Sequence, residues 1–503
     1  MSISKTLFTV TTITLLARLL SLVSLQIYMT FFGPQNVQIN IFSYALNVPN
    51  IIFNVLGTII AAVVVPIYTG LLTKDKKQSQ IFINNIITLV CLSVVCLIII
   101  GYIGAPFLAG LTAYRYYPFT VYALRVKIFA MFFYGLHYMF QGILHSHGKF
   151  ILAAFVTVPT SVVVISYVFL FGHSLGVHGL VYAMVIGLSM QALLLLPAVI
   201  KQGVRYRVAL DIKNPHVRQA LRLAAPVLLS VVSFQINSIF NTTLATNFNL
   251  VLIMGFVQNL MLVLILSIVH PIAGVYLPKL TKIWEKGQES EFKSSLENLI
   301  LTVLFFLIPA SAGFFLMRFE IINLLVAWGQ FTTEDAAITS ALLGLYGLGV
   351  VGIGLKEVID RGFYAQKNSK LPGLVGFLIM IINIAFSLGV VNYLGFYTMP
   401  VSFVVSTGIG SICLVIAMHR NIGIISRRLL LNIAKFLAGT LIMAVVIYAT
   451  RGFFNNIIFT SEVVARAVRL FAPVALGVII YFACAAALGI EQVREIGKHA
   501  IRR

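Results

Sequence analysis

The chain has 503 residues, 60% hydrophobic and only 10% charged, a balance far outside that of soluble globular domains. Its formal net charge of +21 is spread over short turns between apolar runs, which argues against a basic domain that tracks a nucleic-acid backbone. The four cysteines, Cys91, Cys96, Cys413 and Cys484, sit inside apolar runs without metal-ligand spacing, so neither a disulfide framework nor a metal centre is expected.

Many apolar runs reach the ~18 residues that cross a hydrocarbon core of about 30 Å. Met1–Lys5 leads directly into the first, with no small-residue cleavage site, and this segment reads as a retained helix. Spans are predicted near 7–31, 37–72, 81–108, 119–145, 151–172, 179–201, 220–245, 250–280, 294–317, 336–365, 372–391, 399–420, 429–450 and 464–488. The fold class is therefore an all-α polytopic membrane protein of about fourteen helices.

Alternate connections carry most of the cations: Lys74, Lys76 and Lys77; Lys149; Lys201, Arg205, Arg207 and Lys213; Lys279 to Lys293; Lys367 and Lys370; Arg420, Arg427 and Arg428. The tail adds Arg494, Lys498, Arg502 and Arg503, whereas the opposite side has scattered cations, chiefly Arg115, Arg318 and Arg451. By the positive-inside rule both termini are expected in the cytoplasm, with an even number of spans. The polar stretch 205–222 reads as an interlobe linker, in part an amphipathic helix. It divides the chain into an N-lobe of six spans (1–204), a C-lobe (223–425) and a final pair with the tail (426–503).

A shift of the sequence along itself places Asn47 on Asn259 and Val65-Pro66 on Leu277-Pro278, each followed by a Thr-Lys pair and a charged turn. This weak but ordered match predicts two repeats of the same orientation.

Several positions inside the spans invite a functional reading. Arg18 lies about halfway along the first span, where a cation costs about 2.5–3.5 kcal/mol on insertion scales. Either snorkelling and backbone carbonyls offset that cost, or a substrate phosphate takes the guanidinium fork. No acid precedes Asp75 and none lies between Asp75 and Asp211, so a cavity in this half favours an anionic group. Asn47-Val48-Pro49-Asn50 puts a proline between amides within the second span. It reads as a hinge at Pro49, with Asn47 and Asn50 facing a cavity, or as a packed kink. Gln235, Asn237, Asn241 and Asn259 are explained by interhelical hydrogen bonds, with a lining role open. Lys356–Asp360 and Glu357–Arg361 are both spaced i,i+4. They form either a self-neutralised helix end or a cytoplasmic gate. His145 and His147, in a basic turn, read as interfacial. No catalytic, P-loop or dinucleotide motif occurs, and neither enzymatic chemistry nor a cofactor is expected.

Taken together, Thr12 to Gly33 with Arg18, Asn47-Val48-Pro49-Asn50, Val65-Pro66 before a charged turn and Gln235-Ile236-Asn237 resemble the MurJ (MviN) family of lipid II flippases. Leu277-Pro278, Gly329-Gln330-Phe331-Thr332 and Arg361 to Lys367 extend the resemblance over nearly the whole chain. It implies the fold of the multidrug/oligosaccharidyl-lipid/polysaccharide exporter superfamily: two six-helix lobes around a central cavity, with two C-terminal helices forming a lipid-tail groove. It also implies alternating access, carrying an undecaprenyl-pyrophosphate-linked peptidoglycan precursor to the outer leaflet of the bacterial cytoplasmic membrane. Implied partners are that lipid-linked glycan, membrane lipids and cell-wall synthesis proteins, and no nucleic acid. Family positions that carry further charge fall here on Ser24, Phe53, Thr58 and Asn259, and the acid expected after Gln-Ile-Asn is Asn241. A flippase for another polyprenyl-linked glycan, an ion-coupled small-molecule exporter and a non-transporting scaffold are the alternatives.

Overall fold

The computed structural model describes residues 3–455, 457 and 461–493, and among these there is no β-strand. The tail cations from Arg494 onward lie outside the described residues. The chain packs as two compact units, residues 1–256 and 257–503.

In unit 1, α1 (Ile3–Phe32) ends before Gly33, and the Asn36 side chain accepts the Gln38 N–H to start α2 (Val37–Ile59). A π turn, Ile60–Val64, joins α2 to α3 (Val65–Lys74). Asp75 then stops one helix and caps the next, its Oδ1 accepting the N–H groups of Lys77 and Gln78 at the start of α4 (Lys76–Gly110). Pro118 opens α5 (Pro118–Ser146), where its missing N–H costs nothing. The short α6 (Phe150–Ala154) precedes α7 (Val158–Lys201).

α7 is a hairpin rather than one rod. Gly176 has φ 56° and ψ −149°, a conformation essentially restricted to glycine, and Tyr167 donates its hydroxyl hydrogen to the Gly176 carbonyl across 2.6 Å. The two arms pack so closely that a Cβ on Gly187 would lie 2.8 Å from the Thr160 Cα. Gln191 Nε2 meets Thr160 Oγ1 at 2.7 Å. These arms are the expected fifth and sixth spans.

The expected interlobe linker is extended over 204–211. Its backbone is held along α4: Asp211 N–H donates to Asn85 Oδ1 at 2.5 Å, and Gln80 Nε2 donates to Arg205 O at 2.9 Å. Satisfying the backbone this way removes the need for a helix until Asn214 caps α8 (Pro215–Thr246), which packs on α2 within unit 1. α9 (Val251–Leu264) follows.

Unit 2 continues through a second π turn, Ile265–Val269, into α10 (His270–Glu285). α11 (Glu289–Leu316), α12 (Arg318–Leu325) and α13 (Thr333–Ala365) come next, α13 opening with a reciprocal Thr332–Asp335 capping box. α14 (Lys370–Leu394) turns at Gly395, φ 54°, into α15 (Thr398–Ile422). Asn383, fully buried between these arms, donates to Ser402 and Ser406. α16 (Arg427–Asn455) and α17 (Glu462–Ala487) complete the unit, and Tyr481 ties α17 to the Phe305 carbonyl of α11 at 2.8 Å.

Eleven described stretches are long and apolar enough to cross a membrane. Two of them, 150–201 and 370–422, are hairpins, and α8 adds a further long helix, so the described long helices match the fourteen spans expected in number. Large apolar side chains such as Leu92, Leu170 and Leu441 are exposed along these helices, as lipid-facing surfaces require.

The two π turns are local counterparts. Each sits two residues before a proline, Pro66 and Pro271. Aligned on them, Pro66 corresponds to Pro271, a different register from the Pro66–Pro278 match expected from sequence. The reason lies in the backbone. Val65 N–H bonds Ile60 O and His270 N–H bonds Ile265 O, five residues back, because the following proline ring crowds an ordinary turn.

Candidate functional site

α1 lies against α7, with Ser21 Oγ 3.2 Å from Ser161 Oγ, and its Ala17, Ser24 and Tyr28 are buried, the Tyr28 ring edge-on to Phe42 of α2. Arg18, next to Ala17, turns off that stripe and is exposed. Unit 1 contains only two acids, Asp75 and Asp211. Asp75 caps α4, and Asp211 accepts the Lys213 N–H in a turn. Neither lies within a span, so no carboxylate is available inside the membrane part of this unit to neutralise Arg18.

On α2, Asn47 and Asn50 are half-buried, and Asn47 Nδ2 approaches Gly255, where an added Cβ would lie 3.7 Å away. Among the described residues Asn50 Oδ1 is buried with no hydrogen-bond partner, an acceptor left open in the middle of a span. Pro49 is buried within a helix that runs on past it to Ile59. The departure from α-helical bonding comes at 60–64, so that Ala61 O loses its usual donor and Pro66 offers none to Ala62 O. Both alanines are exposed.

Two features of this region escaped the sequence reading. Asn54 accepts the Tyr138 hydroxyl of α5 at 2.8 Å, which locks α2 to α5 just ahead of the π turn. Lys127, also on α5, is only 1% exposed, and its Nζ has no hydrogen-bond partner among the described residues. One turn further along α5, Met131 packs with Phe53 of α2. Lys127 was overlooked because a single lysine in an apolar run near Arg125 looks like a snorkelling residue. Arg125 does behave that way, with its guanidinium 4.6 Å over the Tyr102 ring.

In unit 2, Asn259 is exposed on α9 next to the exposed Gln258. The α13 charges pair along their own helix. Lys356 Nζ lies 2.5 Å from Asp360 Oδ2, and Arg361 lies 3.5 Å from Glu357. Asp360 is 3% exposed and its second oxygen has no partner. Among the described residues no group of three His, Cys, Asp or Glu could hold a metal ion.

The family model described as "Lipid II flippase MurJ" matches residues 29–468 of this chain. The chain belongs to the MurJ family. A probable lipid II flippase MurJ from Rickettsia prowazekii is 22% identical over 94% of this chain and 95% of its own length. The solved structure of lipid II flippase MurJ in an inward closed conformation superposes with TM-score 0.78 at 20% identity, covering 95% of this chain and 98% of that one. An inward-facing multidrug resistance MATE transporter of the MOP superfamily is similar at TM-score 0.67 and 15% identity, over 81% and 94% of the two chains. Several positions where the MurJ resemblance implies further charge are occupied here by packed or hydrogen-bonded side chains. Ser24 is buried, Phe53 packs with Met131, and Thr58 donates to the Asn54 carbonyl at 3.0 Å.

Proposed function

We propose that this chain is a lipid II flippase that carries the undecaprenyl-pyrophosphate-linked precursor from the inner to the outer leaflet of the bacterial cytoplasmic membrane by alternating access. The observation that carries the reading is the exposed Arg18 in a unit whose spans contain no acid. A guanidinium there is electrostatically unmatched until an anion arrives, and its planar fork suits phosphate oxygens. Asn47 and Asn50 supply neutral hydrogen-bonding capacity suited to sugar or peptide groups, and Pro49 with the π turn at 60–64 gives α2 a place to bend. Both termini are proposed to be cytoplasmic, from the alternation of cations along the turns. Reporter fusions placing the 146–150 turn outside the cell would reverse that orientation.

One observation favours a second reading. Ser24 and Phe53 are packed where charge is implied, so a polyprenyl-linked glycan other than lipid II remains the alternative cargo. An exporter of cationic drugs fits less well, because such cargo wants a carboxylate partner that unit 1 lacks. Complementation of a bacterium depleted of its own lipid II flippase separates these readings. Growth and normal cell-wall synthesis are expected if lipid II is carried, and failure at normal expression points to the other glycan.

A further inference from the structure

Unit 2 contains a cavity of about 580 Å³ whose lining includes none of the residues placed in the candidate site above. It lies among α12, the start of α13, the end of α16 and the start of α17, and its wall includes Glu320, Thr333, Arg451, Glu462, Arg466 and Arg469. The volume is within the ~300–1,000 Å³ of small-molecule sites. Arg466 and Arg469 escaped attention in the sequence because they fall inside an apolar span, and Arg451 looked like an isolated cation. The fold gathers all three.

Their commitments differ. Arg451 Nε binds Glu320 Oε1 at 2.5 Å. Arg466 binds Glu462 at 3.1 Å, donates to the Asn323 and Ala327 carbonyls, and stacks 4.3 Å over the Trp328 ring. Both carboxylates in the wall are thus already matched to an arginine. Among the described residues Arg469 has no ion pair, and its Nε is buried without a hydrogen-bond partner. Among the described lining residues the cavity therefore carries one uncompensated guanidinium, since the helix starts at its wall are already matched by the Thr332–Asp335 capping box of α13 and by Glu462 of α17. A second buried atom is also unsatisfied: Glu320 Oε2, an acceptor held in place by the Arg451 pair. An anion alone would meet Arg469 and leave this acceptor open. An anion carrying hydroxyl groups would satisfy both.

We propose that this cavity binds a phosphate ester bearing free hydroxyls, with Arg469 taking the phosphate and Glu320 Oε2 accepting a hydroxyl. Two sources share this chemistry, a phosphoglycerol lipid headgroup and a soluble glycerol phosphate. In the orientation proposed above the cavity opens toward the outer face of the membrane. The binding itself does not depend on that orientation or on the identity of the transported cargo.

The test uses the full chain purified in detergent. Retention of phosphatidylglycerol against phosphatidylcholine is measured by native mass spectrometry, and glycerol 3-phosphate is titrated in a thermal-shift assay. Arg469→Gln is compared with wild type, and Arg115→Gln, at an exposed arginine stacked on Tyr116 of unit 1, serves as the control. Phosphatidylglycerol retained about tenfold better than phosphatidylcholine by wild type and by the control, and no better by Arg469→Gln, supports the site with a lipid ligand. Stabilisation by glycerol 3-phosphate that disappears in Arg469→Gln, with equal retention of both lipids, supports it with a soluble one. Wild type that responds to neither ligand overturns the proposal, whether or not the variant folds. So does an Arg469→Gln protein that binds like wild type. Because the readout is binding and not transport, either result leaves the flippase reading untouched.

Discussion

Tyr138 of α5 gives its hydroxyl hydrogen to Asn54 Oδ1 of α2 across 2.8 Å, and its ring fills the space beside Gly57. This contact anchors α2 to α5 between Pro49 and the π turn at 60–64. Tyr138→Phe should lower stability by roughly 0.6 kcal/mol, a typical interhelical hydrogen bond in a membrane protein. Gly57→Ala should cost more, about 1–3 kcal/mol, because the added Cβ would lie 2.5 Å from the Tyr138 ring. Melting temperatures of the purified variants check the order, and a Gly57→Ala protein as stable as wild type would contradict the packing described.

Lys127 should be dispensable. Fully buried and without a partner, it carries a desolvation cost that an apolar side chain of similar length avoids. Lys127→Met is expected to raise stability by roughly 1 kcal/mol or more while transport is retained. Lost transport at unchanged or higher melting temperature would instead make Lys127 part of the working cycle.

The Glu357–Arg361 pair, 3.5 Å apart with both side chains about 30% exposed, is worth only ~0.3–0.5 kcal/mol as an i,i+4 contact. Its removal should hardly move the melting temperature. If the pair gates the inner end of α13, reversing both charges should preserve more transport than reversing either alone. A double reversal no better than the singles would remove the gate.

The spans were legible because each is a long apolar run bounded by turn residues, and the break between 172 and 179 foretold the hairpin at Gly176. The α13 pairs were legible too, since i,i+4 spacing fixes neighbours on a helix whatever surrounds it. The π turns were not: a Val-Pro or His-Pro pair shows where a helix is strained but not how the strain is relieved, and Pro49, the more conspicuous proline, sits in continuous helix. The arginine cavity was invisible for another reason. Arg451, Arg466 and Arg469 belong to two helices and meet only through tertiary packing.

Arg18→Ala should leave the protein inserted and folded, because deleting an intramembrane cation relieves an insertion cost. Transport should fall at least about 100-fold, the equivalent of about 3 kcal/mol of charge-assisted hydrogen bonding. Arg18→Lys should recover only part, since an ammonium lacks the bidentate fork. A structural arginine would give the reverse pattern, with reduced melting temperature in the alanine variant and near-complete rescue by lysine.

The most direct measurement is the leaflet distribution of lipid II after this chain is depleted from its host, read by a lipid II-cleaving enzyme supplied only from outside the cytoplasmic membrane. The account predicts that lipid II accumulates in a form the enzyme does not reach, and that re-expression of wild type, but not of Arg18→Ala, restores access. Lipid II that stays as accessible after depletion as before it would contradict the account.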